Sequence, residues 1–196
     1  MSTWHMVCCC LAAIAGLSLG AQASAALPEG YTRLQYIQSN RSGNTRFVTN
    51  YTPQPNTDIF EVVFEPVQIN ASVNQAIWCA RNNPAARNTY TFFIIGDKFR
   101  FEYGYNCVTT PETFGEAKVD TVYTVVASNN VITVNGQEGV TPAAETFTAG
   151  GPLMLFARYH NGTTANVGDY ADIKLYSFKV WRKGELIPLA SHSPIV

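Results

Sequence analysis

The sequence predicts an all-β fold, a sandwich or a barrel, for the part of the chain that follows residues 1–25. Short runs rich in β-branched and aromatic residues recur along this part, separated by segments rich in Gly, Pro, Asn and Asp. Several runs alternate apolar and polar residues, which is typical of half-buried strands. No long stretch sustains the period of an amphipathic helix.

Residues 1–25 are predicted to be a secretory signal peptide. They contain no Lys, Arg, Asp or Glu, run apolar from Met6 to Leu19, and end in Ala-x-Ala patterns. Cleavage after Ala25 leaves 26–196, the length of one ordinary domain. The alternatives are a short core helix or an uncleaved anchor, but the apolar run is short for a membrane span, and no later run is long enough.

The charge of the chain argues against nucleic acid as a partner. Lys and Arg number 13 against 14 Asp and Glu, a formal net charge of −1, whereas phosphate recognition needs clustered basic residues. Only 14% of residues are charged, and Thr, Asn and Tyr carry much of the polar character. Together with the signal segment, this composition predicts a secreted, periplasmic or cell-surface protein.

In chain order, the predicted strands are short and bounded by turn-forming residues. They are Leu34–Ile37, Thr45–Thr49, Ile59–Val67, Asn74–Arg81, Tyr90–Ile95, Lys98–Tyr105, Thr121–Ala127, Val131–Asn135, Leu153–Tyr159, Ala171–Trp181 and Leu186–Leu189. Ser128-Asn129-Asn130 and Asn135-Gly136 are hairpin turn signals. Residues 107–118 and 160–170 are predicted loops.

The segment Ala171–Trp181 is predicted to be a buried closing strand beside the start of the domain. Ile173 and Leu175 share one parity, whereas Tyr176 and Phe178 share the other. Such a switch indicates a β-bulge near Leu175 or a strand covered on both faces.

The chain resembles bacterial laminin-G-like domains of the concanavalin A-like lectin/glucanase superfamily. The residues that carry the resemblance are Leu27, Pro28, Gly30, Tyr31, Tyr36, Ile37 and Gly43, Asn135-Gly136, and Tyr176 to Lys179. The Asp that the group usually has within 43–51 is missing here. The resemblance implies a jelly-roll sandwich of two antiparallel sheets, one of them concave. Its members bind glycans or proteins, and some hydrolyse glucans.

The sequence predicts that the chain is not an enzyme. The Glu-x-Asp-x-x-Glu run of the superfamily's glucanases is absent. Glu61 and Glu65 on one strand would lie about 13 Å apart, farther than the roughly 5–9.5 Å that glycoside hydrolysis requires. There is no GxSxG, and His160 and His192 have no metal-ligand spacing.

Aromatic and polar residues at strand ends are the predicted ligand-binding site, because an aromatic ring with a polar edge suits a sugar. They are Trp78, Arg81, Asn82, Tyr103, Tyr105, Arg158, Tyr159, His160 and Asn161. Core packing is the alternative for Trp78 and Tyr103. The run Arg158 to Asn161, where a strand meets a loop, is the best single candidate.

The resemblance also implies a structural calcium ion where the last strand meets the start of the domain. Asp169 and Asp172 are its candidate ligands, although two carboxylates are few for a hard cation. No other cofactor is expected.

Cys79 and Cys107, the cysteines that remain after cleavage, are predicted to stay unpaired. If 74–81, 90–95 and 98–105 form a meander, Cys79 lies level with Phe101, two strands and about 9.5 Å away. Cys107 would then lie about 20 Å farther along the strand direction, beyond the reach of a disulfide, unless the chain folds back sharply after Tyr105.

These observations predict a secreted or cell-surface, non-catalytic domain that binds glycans or glycoconjugates. One alternative is a structural or adhesion domain whose partner is an extracellular protein. A degenerate glycoside hydrolase is the other.

Overall fold

The computed structural model describes residues 35–81, 88–104, 106–109, 114–139, 141–159, 167–187 and 189, with only the backbone of 106–109. All of them belong to a unit spanning Leu34–Val196. The predicted signal peptide lies outside the described residues. The strands, in chain order, are β1 (Ile37–Gln38), β2 (Phe47–Val48), β3 (Asp58–Gln68), β4 (Asn74–Ala80), β5 (Thr89–Ile95), β6 (Lys98–Gly104), β7 (Asn106–Thr109), β8 (Tyr123–Ser128), β9 (Val131–Val134), β10 (Gln137–Glu138), β11 (Met154–Leu155), β12 (Arg158–Tyr159), β13 (Val167–Gly168), β14 (Asp172–Arg182) and β15 (Glu185–Leu186).

These strands form two large antiparallel sheets within the described residues. The first sheet has the order β1-β14-β3-β8-β9-β10, with β15 paired to β14. The second has the order β2-β11-β4-β5-β6-β7, and β12 and β13 form a separate short pair. This architecture confirms the predicted all-β jelly-roll sandwich. Within the part of the chain that the structure describes, no helix is long and apolar enough to cross a membrane.

Strand β14 lies inside the first sheet, between β1 and β3. Leu175 pairs with Ile37 on one side and with Phe64 on the other. The register with β3 shifts between Leu175 and Ser177, so Tyr176 is the extra residue of a β-bulge. The bulge explains the switch of parity, and the predicted neighbour near the start of the domain is also confirmed.

The core lies between the two sheets and is largely aromatic. On β3, Phe60, Val62 and Phe64 alternate inward and are fully buried. Trp78 of β4 stacks on Phe92 of β5 with ring centroids 4.9 Å apart, and Phe60 lies 5.7 Å from Trp78. Each such buried side chain contributes roughly 1.5–3 kcal/mol by leaving water.

Asp58, at the start of β3, holds one end of the first sheet together. Its side chain is fully buried and accepts hydrogen bonds from Arg182 Nε at 2.7 Å and from the backbone N–H of Gln54 at 2.6 Å. The Tyr51 hydroxyl donates to the same carboxylate, and the Arg182 guanidinium lies 5.3 Å from the Tyr51 ring centroid. This cluster ties the start of β3 to the end of β14.

The chain departs from the predicted elements in several places, including β10, which was not predicted, and β13, which lies within the predicted loop 160–170. Residues 107–118 contain β7, because Gly104, with a φ of 64°, begins a fold-back that pairs Asn106 with Tyr103. The predicted strand over 153–159 is split at Phe156, whose φ of 69° is rare for an aromatic residue and carries no sequence signal. The tail strand is β15, slightly earlier than predicted.

The meander of β4, β5 and β6 is confirmed, but the predicted offset between the cysteines is wrong. Cys79 pairs with Thr91, Thr91 with Glu102, and Glu102 with Cys107, because the chain folds back into β7. The backbones of Cys79 and Cys107 therefore lie level with each other and three strand spacings apart, about 14 Å. This distance still exceeds the roughly 7 Å limit for a disulfide. Cys79 is a buried free cysteine, and the Cys107 side chain lies outside the described residues.

Candidate functional site

The candidate site is the outer face of the second sheet, which points away from the core. Strands β4, β5 and β6 alternate, so Cys79, Thr91 and Phe93 face outward while their neighbours face the core. The pair β12-β13 contacts this face and buries Tyr159 against Cys79. The set that we call the arginine face consists of Arg46, Arg81, Phe93, Arg100, Glu102, Arg158, Tyr159 and Asp169.

Ion pairs connect this face across strands that are distant in sequence. The Glu102 carboxylate lies 3.6 Å from Arg81 Nη1, 3.5 Å from Arg158 Nη1 and 4.0 Å from Arg100 Nη2. Arg158 Nη2 also contacts the Asp169 carboxylate at 2.5 Å. The side chains of Arg158, Glu102 and Asp169 are only 11–13% exposed. Charges this well shielded from water interact more strongly than surface pairs.

Two guanidiniums also lie against one aromatic ring. The Arg158 Cζ atom is 4.8 Å, and the Arg100 Cζ atom 5.6 Å, from the centroid of the buried Phe93 ring. Cation–π attraction adds to the ion pairs and limits the rotamers that either arginine can adopt.

Backbone and hydroxyl groups position the other two arginines. Arg81 Nε donates to the Tyr159 carbonyl at 2.6 Å, and Arg46 Nη1 donates to the Tyr170 hydroxyl at 3.2 Å. Burial, and then the charge of Arg158, lower the pKa of Arg81. The carboxylates of Glu102 and Asp169 act in the opposite direction.

Buried polar atoms of this face without a hydrogen-bond partner among the described residues include two donors, Arg158 Nε and the Tyr159 hydroxyl, and one acceptor, Glu102 Oε2. Burial is the main cause that raises the pKa of Tyr159 to about 12, so its hydroxyl stays protonated and can donate. Unsatisfied buried donors cost free energy and require an explanation. Perturbed, shielded polar groups of this kind are typical of functional sites.

The predicted site residues fall into three groups. Arg81, Arg158 and Tyr159 come together on the arginine face. Trp78 and Tyr103 are fully buried in the core, the position that the alternative interpretation gave them. The remaining predicted residues lie outside the described residues: Asn82, Tyr105, His160 and Asn161.

Sequence reasoning missed Arg46, Phe93, Arg100 and Glu102. A signal for two of them existed, because Arg100 and Glu102 alternate with the core residues of β6. That alternation indicated a solvent-facing side, whereas Arg158 of β12 lies against Glu102 in the structure.

The two aspartates predicted to bind calcium have other partners. Asp169 is paired with Arg158, and Asp172 Oδ1 accepts the backbone N–H of Arg41 at 2.6 Å. The described residues hold no group of three His, Cys, Asp or Glu side chains close enough to bind a metal ion. A cation would have to displace the Arg158 guanidinium, so these residues do not fit a calcium site as they stand.

The glutamates considered for hydrolysis lie on the outer face of the first sheet. Glu61 bonds Lys179 Nζ at 2.6 Å, whereas Glu65 bonds Lys174 Nζ at 2.5 Å and the Tyr176 hydroxyl at 2.6 Å. The Lys174 and Tyr176 hydrogen bonds lower the pKa of Glu65. The Glu65 carboxylate is therefore held ionised by its partners.

A second surface feature lies at the open edge of the sandwich, where β1 and β14 approach β2 and β11. It is a cavity of about 310 Å³ whose walls include Tyr36, Ile37 and Tyr176. These three side chains are 38–48% exposed, and the two tyrosine rings meet edge to face at 5.8 Å. An exposed apolar surface of this kind is typical of a contact site.

Solved structures with similar folds include mouse laminin α1 domains LG4-5, with 14% identity and a TM-score of 0.55 over 85% of this chain and 47% of that one. A pentraxin from Limulus polyphemus has 14% identity and a TM-score of 0.49, over 74% of this chain and 71% of that one. A Trypanosoma rangeli sialidase in complex with sialic acid has 11% identity and a TM-score of 0.48, and this chain spans 21% of its length. No protein-family model and no curated protein matches the sequence.

The prediction that the chain is not an enzyme, which was drawn from missing catalytic motifs, is wrong. The absence of the glucanase carboxylate motif does not exclude catalysis, because one fold can support both enzymes and non-catalytic proteins. At these identities the likeness shows the fold alone. That fold is a concanavalin A-like sandwich, related in architecture to laminin LG4-5.

Proposed function

We propose that this chain is a secreted or cell-surface protein that binds glycans or glycoconjugates on the arginine face. The observation that carries the proposal is the cluster of Arg81, Arg100 and Arg158 around Glu102, with two of the guanidiniums lying against the ring of Phe93. The proposed location rests on the signal-like segment at 1–25.

The chemistry of a sugar matches what this face offers. A sugar presents hydroxyls that both donate and accept hydrogen bonds, and here guanidiniums donate while Glu102 and Asp169 accept. The Tyr159 hydroxyl and Arg158 Nε are donors that no described residue uses. Rigid strands position most of these groups, and therefore little ordering is required when a ligand binds.

A glycan array probed with the purified protein tests the proposal. We expect binding that weakens strongly in Arg158→Gln, because Arg158 contacts both carboxylates and the Phe93 ring. Lys179→Gln is the matched control, since it removes one positive charge from the outer face of the first sheet. An array without any bound glycan, or equal loss in both variants, would refute the proposal.

A second candidate function, adhesion to an extracellular protein, is favoured by the edge cavity. Tyr36, Ile37 and Tyr176 expose apolar surface there, and aromatic residues are common anchors of protein interfaces. Tyr176→Ala would weaken such adhesion and leave glycan binding by the arginine face unchanged. Loss of glycan binding in this variant would instead place the sugar at the edge cavity.

A further inference from the structure

Tyr36 and Tyr176 form a pair of tyrosines in the wall of the edge cavity, where β1 meets β14. The antiparallel register that pairs Ile37 with Leu175 places Tyr36 opposite Tyr176 when it is continued by one residue. The two ring centroids lie 5.8 Å apart with an interplanar angle of 67°, an edge-to-face contact. The two phenols are therefore neighbours in space, although they come from opposite ends of the domain.

The pair is open to solvent. Tyr36 is 39% and Tyr176 38% exposed, whereas Tyr90 and Tyr103 are fully buried in the core. Tyr36 precedes β1, and Tyr176 is the extra residue of the β14 bulge, so neither ring is packed between the sheets. A dissolved oxidant can therefore reach both phenols, and exposed rings of this kind change rotamer within nanoseconds, which brings their edges together.

A carboxylate is already in place to take the phenol proton of Tyr176. The Tyr176 hydroxyl donates to Glu65 Oε2 at 2.6 Å, and Lys174 Nζ lies 2.5 Å from Glu65 Oε1. A phenol loses an electron more readily when a base takes its proton in the same step, because the product is then a neutral radical. Lys174 Nζ also lies 5.7 Å from the centroid of the Tyr36 ring, and this positive charge opposes removal of an electron from that ring. Tyr176 is therefore the ring that is oxidised first.

We propose that Tyr36 and Tyr176 are an oxidative crosslinking site, at which a haem peroxidase with hydrogen peroxide couples the two rings into dityrosine. Each phenol gives one electron to the oxidant and loses one proton, that of Tyr176 to Glu65 and that of Tyr36 to water. The two phenoxyl radicals form a carbon–carbon bond between ortho positions, and the ortho hydrogens then move to the phenolic oxygens as protons. One hydrogen peroxide takes up the two electrons and two protons and becomes two water molecules.

The crosslink would tie the start of the domain to its closing strand. It closes a loop that contains most of the domain, so it restricts the unfolded chain as a long-range disulfide does. We expect it to raise the melting temperature by roughly 5–15 °C. This inference goes beyond the proposed glycan binding and does not depend on it.

Treatment of the dilute protein with a haem peroxidase and hydrogen peroxide, followed by mass spectrometry, tests the inference. Trypsin releases Tyr36 in peptide 34–41 and Tyr176 in peptide 175–179, and each peptide contains a single tyrosine. We expect these two peptides to be joined, with a mass equal to their sum less two hydrogen atoms, and dityrosine fluorescence in the monomer. Joined peptides from other tyrosines in place of this pair, or dityrosine confined to covalent dimers, would overturn the assignment.

Tyrosine variants connect the product to the site. Tyr36→Phe removes one exposed hydroxyl and should fold normally, and we expect it to abolish the joined peptides and the rise in melting temperature. Tyr170→Phe is the matched control, since Tyr170 is also partly exposed but lies beside Arg46, and it should give the yield of the unmodified protein. Equal loss of dityrosine in both variants would show unselective oxidation. A crosslinked protein that melts with the oxidised Tyr36→Phe variant would refute the tie between the two ends of the domain.

Glu65→Gln tests the proton acceptor separately. Glutamine has nearly the shape of glutamate, but its amide oxygen is a far weaker base. We expect the same joined peptides to form severalfold more slowly in this variant, while the dityrosine yield after long treatment approaches that of the unmodified protein. An unchanged rate of crosslinking would overturn the role of Glu65 in the reaction.

Discussion

Replacement of Trp78 by Ala decides whether this residue belongs to the core or to a ligand site. Its side chain is fully buried and meets Phe92 at 4.9 Å, Phe60 at 5.7 Å and Phe178 at 6.1 Å between ring centroids. A large-to-small change of this kind lowers the free energy of unfolding by about 3–5 kcal/mol. For a domain of this size, the melting temperature should fall by about 6–20 °C.

Trp78→Phe is the matched control. It keeps most of the buried ring, and it removes an indole N–H that is buried without a hydrogen-bond partner among the described residues. The loss of volume and the removal of an unsatisfied donor act in opposite directions, so we expect a loss of only about 1–2 kcal/mol. Urea unfolding followed by circular dichroism measures both variants. If the Trp78→Ala variant is as stable as the original protein but no longer binds glycan, the assignment of Trp78 to the core is refuted.

The remaining predictions concern charges and thiols. Asp58→Ala should lower the free energy of unfolding by about 3 kcal/mol in urea, because it leaves Arg182 without its buried partner; a loss below about 1 kcal/mol contradicts this. The pKa of Glu65 is lowered in the folded state, so the ionised Glu65 carboxylate stabilises the fold. This contribution is present above the unfolded pKa of 4.5 and is lost as the pH falls through the folded pKa. As the pH is lowered from 6 to 3, the melting temperature should therefore fall less steeply for Glu65→Gln than for the unmodified protein. Identical slopes would exclude this contribution. Burial raises the pKa of Cys79, so Ellman's reagent should leave it unmodified in the native protein and detect it, with Cys107, after denaturation; an absence of thiols in the denatured, unreduced monomer would show a disulfide.

Local sequence patterns correctly predicted the strands in which each face keeps one kind of environment along its length. Strand β3 was evident because its buried residues Phe60, Val62 and Phe64 recur at every second position. The bulge of β14 was evident because parity switches at Tyr176. The break at Phe156 was not predictable, since an aromatic residue with positive φ is imposed by tertiary pairing.

The candidate site was partly predictable for a related reason. Arg81, Arg158 and Tyr159 stand at strand ends, where functional side chains are common. Arg100 and Glu102 lie in the middle of an alternating strand, and their importance depends on Arg158 and Asp169, more than fifty positions later in the chain. Periodicity describes one strand at a time and contains no information about which distant segment will cover it.

The position of β14 between β1 and β3 has a consequence for folding. The first sheet cannot be completed until a segment near the end of the chain is inserted between two strands from its beginning, as the pairing of Ile37 with Leu175 shows. Contacts of such high sequence separation slow folding, because the loop must close before they contribute. During synthesis the early strands remain without their central partner, so the chain stays open until almost all of it has been made. A chain that folds this late is easier to thread through a narrow translocation channel, and it also exposes the edges of β1 and β3 to aggregation until β14 is inserted.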